Sequence, residues 1–388
     1  MNRNGGDKLR RIFLLLIFSL VIYASWSLFG KPANKTGLQQ SLENIESKIA
    51  SVTQSQEFSD AFDTLRSGFL HLVEEIDSAI DQLPKEEQEV ESQKLEKPKL
   101  STPSEDMFTV YNFGLGDAKA KVEKKVGAPK RSSVNEYGVK WHTYHKDYQH
   151  FFMAAYDENN KVAGLYTNQD LLASKKGIKR GTPKATVRSK LGEPLTKIRK
   201  GMAYYQFEEN RDYDVFRIDG TYTTVFYDKH QKNTVTSIQI ISEGLENNKK
   251  DFYSKGSPAL TKGFEFQLFD LTNATRVNHN LSILSWDAHV KETARKHSAD
   301  MAKNQYFSHT NLEGESPFDR MEEDRVRFIT AGENLASGQF SSIFAHEGLM
   351  NSMGHRKNIL QKDFELLGVG VAFDSKSRPY YTENFYAK

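Results

Sequence analysis

Two segments 65 residues apart, Gly116 to Pro129 (GDAKAKVEKKVGAP) and Gly181 to Pro194 (GTPKATVRSKLGEP), repeat one spacing of Gly, Val, Gly and Pro. In each, the valine lies six residues after the first glycine, the second glycine eleven and the proline thirteen. The spacing predicts a short helix with Val122 or Val187 on a core face, stopped by a Gly-x-Pro exit. Strand-like runs follow both copies: Trp141 to Tyr144, Phe151 to Tyr156 and Val162 to Tyr166, then Tyr204 to Phe207, Thr221 to Tyr227 and Val235 to Ile241. Both last hairpins turn after Tyr-Asp, at Tyr156-Asp157 and Tyr227-Asp228. Residues 107–245 are therefore expected to form one α+β domain, a duplicated helix-plus-antiparallel-sheet unit. His142, His145 and His150 fall in its aromatic region without carboxylates in ligand register, and read as packing or surface residues.

At 388 residues the chain exceeds one ordinary domain, and 38% hydrophobic with 12% aromatic residues suffices for two cores. With 53 basic against 51 acidic side chains, the net charge of +2 provides no field for nucleic acid, which is not an expected partner. The absence of cysteine excludes disulfides, thiol nucleophiles and thiolate metal sites, leaving His, Asp and Glu for any metal.

Arg3, Lys8, Arg10 and Arg11 precede an uncharged 18-residue run from Ile12 to Phe29. As a helix that run spans roughly 27 Å, just enough for a bilayer core. Residues 1–30 read as a signal anchor, a transmembrane helix whose basic flank stays cytoplasmic, so that everything after Gly30 lies outside the cell membrane. The alternative is secretion after signal-peptide cleavage near Ser25-Trp26-Ser27. Over 31–83, apolar residues recur at steps of four and three, from Leu42 to Val52 and again from Phe58 to Ile76. This predicts a coiled-coil-like helical stalk that buries its stripe by self-association through residues 38–83 or by docking on the distal domains. Residues 84–106, charged and proline-punctuated, read as a flexible linker.

Helical periodicity returns from Phe266, and distinctive blocks follow in order. They are Leu284-Ser285-Trp286 with His297-Ser298 and Phe307-Ser308-His309; Gly332-Glu333-Asn334-Leu335; MNSMGHRKNIL from Met350 with Leu367 to Ala372; and Tyr380 to Phe385. Through them residues 262–388 resemble the CAP superfamily of cysteine-rich secretory, antigen 5 and pathogenesis-related 1 proteins. The paired Gly-Val-Gly-x-Pro units resemble the domain that precedes CAP domains in Bacillus-type envelope proteins, for which binding or presentation is the implied role. The CAP resemblance implies an α/β/α sandwich with a three-stranded antiparallel sheet and an open cleft. Its cleft residues would be His309, Glu333 and His355, with Glu347 as the carboxylate available in the helix before Gly354-His355-Arg356. Leu349 and Met353 depart from the family's Trp and Pro, apolar for apolar, which alters the cleft rim.

Two neutral imidazoles and a carboxylate suffice to hold Zn²⁺ with an open position. His309 and His355 are thus the expected metal ligands, with a glutamate as base or orienting group. Glu347 and His355, two helical turns plus a residue apart, would look into one cleft. The competing reading is a hydrogen-bonded lattice that fixes the fold. His346 reads as a surface helix residue, and Asn334, Asn358 and Asn384 as loop and cap hydrogen bonders. Gly368-Val369-Gly370 reads as a strand whose glycines allow close backbone packing. Ser308 and His309, adjacent in sequence, have no default geometry for a nucleophile pair, and no catalytic residue is assigned. Three functions stay open. The leading one is a membrane-anchored extracytoplasmic CAP-domain protein that binds an envelope ligand or peptide. The others are a metal-dependent, peptidase-like hydrolase and a structural component of the cell wall or spore envelope.

Overall fold

The computed structural model describes residues 95–388; the expected signal anchor, the stalk and the linker up to residue 94 lie outside the described residues. Residues 95–107 carry no helix or strand, yet they are tied down: Leu95 N donates to Gln149 Oε1 (2.8 Å), and Lys97 pairs with Asp170.

The two glycine-to-proline segments fold as helices α1 (Lys119–Val126) and α2 (Lys184–Leu191), each burying its valine. Both end at a glycine with positive φ, 84° at Gly127 and 88° at Gly192, which a residue with a Cβ adopts only at a cost. The strands of this half are β1 (Phe108–Val110), β2 (Arg131–Val134), β3 (Lys140–Lys146), β4 (Gln149–Tyr156), β5 (Val162–Thr167) and β6 (Leu172–Ser174). After α2 come β7 (Lys197–Lys200), β8 (Ala203–Gln206), β9 (Tyr213–Ile218), β10 (Thr221–Asp228) and β11 (Thr234–Ser242). Seven of them make one antiparallel sheet in the order β2-β3-β4-β5-β11-β10-β9, its two groups meeting where Ile238 to Ile241 pair with Thr167 to Gly164. The Tyr-Asp turns are closed by aspartate: Asp157 Oδ1 accepts from Asn159 N and Lys161 N, and Asp228 Oδ1 from His230 N.

Period-two alternation gives this sheet two apolar faces. Tyr144, Phe152, Leu165, Val225 and Ile238 pack on one face with Val122 and Val187 of the helices. Trp141, Phe151, Met153, Tyr166, Phe226 and Ile241 on the other face join a core supplied by the second half of the chain.

That second half holds α3 (Glu243–Asn248), α4 (Pro258–Asn278), β12 (Ser285–Trp286), α5 (Ala288–Asn304), α6 (Pro317–Glu323) and β13 (Thr330–Ser337). It closes with α7 (Ser342–Met350), α8 (Met353–Ile359), β14 (Leu366–Phe373) and β15 (Pro379–Ala387). The strands order as β12-β14-β15-β13, three antiparallel with the two-residue β12 added in parallel at the edge. Gly368 and Gly370 face α5 so closely that an added Cβ would lie 2.3 Å from Lys291 N and 2.0 Å from Arg295 N. Val369 and Val371, on the opposite face, pack with Phe264 and Leu268 of α4.

Helix α4 starts at Ser257, whose side chain accepts from Leu260 N, with Pro258 in the first turn. It is buried along nearly its whole length because it lies between the two sheets. At Gly263 an added Cβ would sit 1.9 Å from Val134 O on β2. Gly263→Ala is therefore expected to destabilise the fold by about 1–3 kcal/mol through overpacking. Gly348→Ala is the contrast: it is an exposed helical position where the nearest atom is 4.0 Å away, and it should stabilise by about 0.5–1 kcal/mol. Urea unfolding midpoints of the two variants, moving in opposite directions, check both statements.

Candidate functional site

Helix α5 ends at Gln305, whose left-handed φ of 57° turns the chain into the loop 306–316. Two buried side chains hold this loop. His297 Nε2 donates to Ser308 O (2.9 Å), and Arg320 Nη1 donates to His309 O (2.8 Å) and Glu315 O (3.0 Å). Arg320 is aimed by α6, which opens on a capping box between Ser316 and Asp319.

From that helix Arg320 Nη2 reaches Glu333 Oε2 on β13 at 2.7 Å, while Glu333 Oε1 accepts from His309 Nδ1 at 2.8 Å. The Glu333 side chain is 1% exposed and that of His309 52%, so a buried ion pair presents an imidazole at the surface. Because the carboxylate oxygen can only accept, His309 Nδ1 is the donor, and in the neutral ring Nε2 is the acceptor left for an incoming group.

His355 comes from α8. Its Nδ1 bonds Ser352 Oγ (2.8 Å) and its backbone oxygen accepts from Asn334 Nδ2 (3.2 Å). Asn358 Nδ2 completes the frame by donating to Glu333 O (3.1 Å) and Asn334 Oδ1 (2.9 Å). Burial pushes the His355 imidazole down, and the proximity of His309 pushes it further the same way. Behind Asn334 lies Glu383, which accepts from Asn334 Nδ2 (3.1 Å) and Thr272 Oγ1 (2.9 Å) and is pushed up to about 7 by burial.

The structure thus gathers His309, Glu333 and His355. Glu347 is placed elsewhere: it is buried against the seven-stranded sheet, where its Oε1 accepts from Tyr166 OH (2.8 Å) and Ser237 Oγ (2.6 Å). The expectation of a shared helical face fails because α7 stops at Met350 and α8 begins afresh at Met353. His346 is not a surface residue either; it is buried with Nε2 on Thr275 Oγ1 (2.7 Å). Asn334 and Asn384 lie on strands and Asn358 on α8, so none of them is a loop cap, and Asn334 and Asn358 bond within the framework of the site. Sequence reasoning missed Arg320 and Glu383. Glu383 lay in a block that carried the resemblance, whereas Arg320 had only the capping-box start of its helix to mark it.

Among the described residues, no group of three or more His, Asp or Glu side chains is arranged to hold a metal ion. The imidazoles of His309 and His355 supply two nitrogen donors, but both Glu333 oxygens are already engaged, one of them by a guanidinium. The donor set does not fit an ion held by three protein ligands.

Comparison with known proteins identifies both halves of the described chain. The family described as CAP-associated N-terminal matches residues 115–252, and the cysteine-rich secretory protein family matches residues 269–385. The uncharacterized membrane protein YlbC of Bacillus subtilis is 31% identical over 289 residues, covering 70% of this chain and 82% of the relative. YkwD of the same organism is 37% identical over 132 residues, which is 34% of this chain and 50% of that protein. Among solved structures, an extracellular SCP-domain protein from Bacillus anthracis superposes with a TM-score of 0.62 at 28% identity, covering 76% of this chain and 99% of that one. A cysteine-rich secretory protein from Staphylococcus aureus shares the fold at TM-score 0.54 and 17% identity, covering 71% and 91%.

Glu347 makes the protein's stability depend on pH. Burial pushes its carboxyl up to about 7, against the opposing hydrogen bonds from Ser237 and Tyr166. An unfolded glutamate titrates near ~4.3, so the folded state holds the extra proton above that pH. The resulting stability is fully present below pH ~4.3 and is lost as pH rises through about 7. Glu383 acts in the same direction. The lowered imidazoles of His142, His145 and His346 act in the opposite direction, so the Glu347 share is read as a difference: the stability of the wild type relative to Glu347→Gln, which keeps an acceptor for Tyr166 and Ser237, is expected to fall as pH rises from 5 to 8. Urea titrations across that range check this; an unchanged slope in the variant would assign the dependence to other groups.

Proposed function

We infer function from the premise that this chain belongs to the cysteine-rich secretory protein (CAP) family, with a CAP-associated N-terminal domain in front of the CAP domain. On that premise it is an extracellular-type CAP protein, held at the membrane through residues 12–29, that binds an envelope ligand or peptide at His309 and His355. The observation that carries this reading is the Arg320–Glu333–His309 chain, in which a buried, fully engaged carboxylate fixes a half-exposed imidazole. A purely structural lattice has no need to leave that imidazole in solvent. The membrane placement draws on the basic flank before Ile12 and on the description of the relative YlbC as a membrane protein. We read residues 107–245 as a duplicated presentation domain and residues 38–83 as its self-associating stalk.

A metal-dependent hydrolase on the same residues would use His309 and His355 as ligands, but no third ligand joins them among the described residues. Any Zn²⁺ bound there should therefore be held weakly, more weakly still as pH drops through the histidine range near ~6.5.

Titration calorimetry of the full chain with Zn²⁺ and with purified envelope peptides, for wild type, His309→Ala and His355→Ala, tests the reading. Both variants are expected to lose binding, and His309→Ala should also cost about 1–3 kcal/mol of stability because it leaves the buried Glu333 Oε1 without its donor. A purely structural lattice would show no wild-type binding, with the stability losses as the sole effect of the substitutions. Protease added to intact, wall-stripped cells should digest the protein; full protection would overturn the membrane topology.

A further inference from the structure

Two adjoining concavities, sharing Arg180, Asp228 and Thr236, make one polar groove between the two halves of the described chain. One is walled on the CAP side by His279, Asn351 and Arg356, and the other opens to solvent past Gln231 with about 400 Å³ of empty space. The turn after β10 fixes the spacing of the walls. Arg356 Nη2 meets Asp228 Oδ2 at 2.9 Å, while Asn351 bonds Lys229 N (3.0 Å) and Tyr227 O (2.9 Å). Met350 and Val235 are the only apolar side chains that line the groove.

Charge in the groove does not balance. Asp228 is held by Arg356 and by His230 N (2.9 Å), and Asp170, at the open end, by Lys97. Glu347 is engaged by Tyr166 and Ser237 and, with its carboxyl pushed up to about 7, is protonated in mildly acid solution. Arg180 is left over, with no hydrogen bond or ion pair among the described residues. Its Nε is enclosed, but Nη1 and Nη2 keep accessible surface where the residue lines both concavities. The His279 imidazole registers the same excess: after burial, the fields of Arg356 and Arg180 push it down, with Asp228 alone opposing them. A guanidinium presents a rigid fork of donors, and here the fork has no acceptor.

We propose that this groove binds the free α-carboxylate of a short peptide, seated on Nη1 and Nη2 of Arg180. A carboxylate brings one negative charge and two acceptors, which matches one unpaired guanidinium. The side chains of Thr236 and Gln231, on the same walls, make no hydrogen bond among the described residues and can meet the peptide's amide groups. A fatty acid offers the same head group, but its tail would find only Met350 and Val235. A phosphate dianion would bring more charge than the groove leaves unpaired. The site is separate from the His309 cleft and does not rest on the reading of that cleft. Helix α8 borders both, with His355 in one and Arg356 in the other.

The test is calorimetric titration of the full chain at about pH 6, where Glu347 is protonated, with N-acetyl-dialanine, with its C-terminal amide and with inorganic phosphate. The acid is expected to bind, and the amide to bind at least about tenfold more weakly. Arg180→Gln should weaken the acid to the same degree while leaving the urea unfolding midpoint in place, because Arg180 bonds no group of the described protein. Arg180→Lys, which keeps the charge but not the fork, should recover only part of the loss. Thr236→Val, a change of nearly the same shape, should cost about fivefold, the worth of one neutral hydrogen bond. His309→Ala should leave the affinity within about twofold, so that failure of this inference and failure of the cleft reading are told apart. Equal binding of the amide, full retention in Arg180→Gln, or no binding of the acid at millimolar concentration would each overturn the inference, as would displacement of the acid by phosphate at equal concentration.

Discussion

Helix α4 is a 21-residue helix packed on both sides, and most of the molecule is arranged around that fact. A surface helix needs one apolar stripe, whereas one wedged between sheets must satisfy every direction. Leu260, Phe264, Leu268 and Leu271 supply its apolar contacts. Its polar positions are buried as well and must be paired. Asp270 accepts from Tyr148 OH (2.8 Å) and Arg131 Nε (3.0 Å), Glu265 takes both arms of Arg295 (2.7 and 2.6 Å), and Arg276 donates to Ser282 O, Ile359 O and Gln361 O.

Such pairs are poor sources of net stability, because removing two charges from water offsets much of their attraction. Their effect is positional. Arg131 and Tyr148 come from the seven-stranded sheet, Arg295 from α5 across the four-stranded sheet, so α4 cannot rotate or slide without stranding a buried charge. Glu347 belongs to the same class. It sits where α7 meets the seven-stranded sheet, received by Tyr166 and Ser237, and so contributes to docking and not to the His309 cluster.

Arg320 plays the corresponding part at the surface. One guanidinium spans two loop carbonyls and the Glu333 carboxylate, so the loop bearing His309 is located by the same group that neutralises the residue orienting His309. The planar fork of arginine makes this sharing possible, and lysine would not reproduce it.

Much of this was legible in the chain itself. The Gly-Val-Gly-x-Pro spacing marks α1 and α2 because a helix that stops at a left-handed glycine leaves a local signature. The strands alternate at period two for a similarly local reason, and His309, Glu333 and His355 sit in short blocks whose order alone carries the family resemblance. What needed the tertiary structure is where side chains point once elements pack. No local pattern separates Glu347, which turns toward a sheet more than a hundred residues earlier, from His355, which turns toward His309. The break between α7 and α8 decides that. The burial of His346, the role of Arg320 and the unpaired guanidinium of Arg180 are likewise properties of contacts between distant segments. A sequence sets the periodicities and terminations of its elements by short-range sterics and hydrogen bonding, but burial, and with it every shifted titration and unpaired donor or acceptor, exists only after those elements have closed on one another.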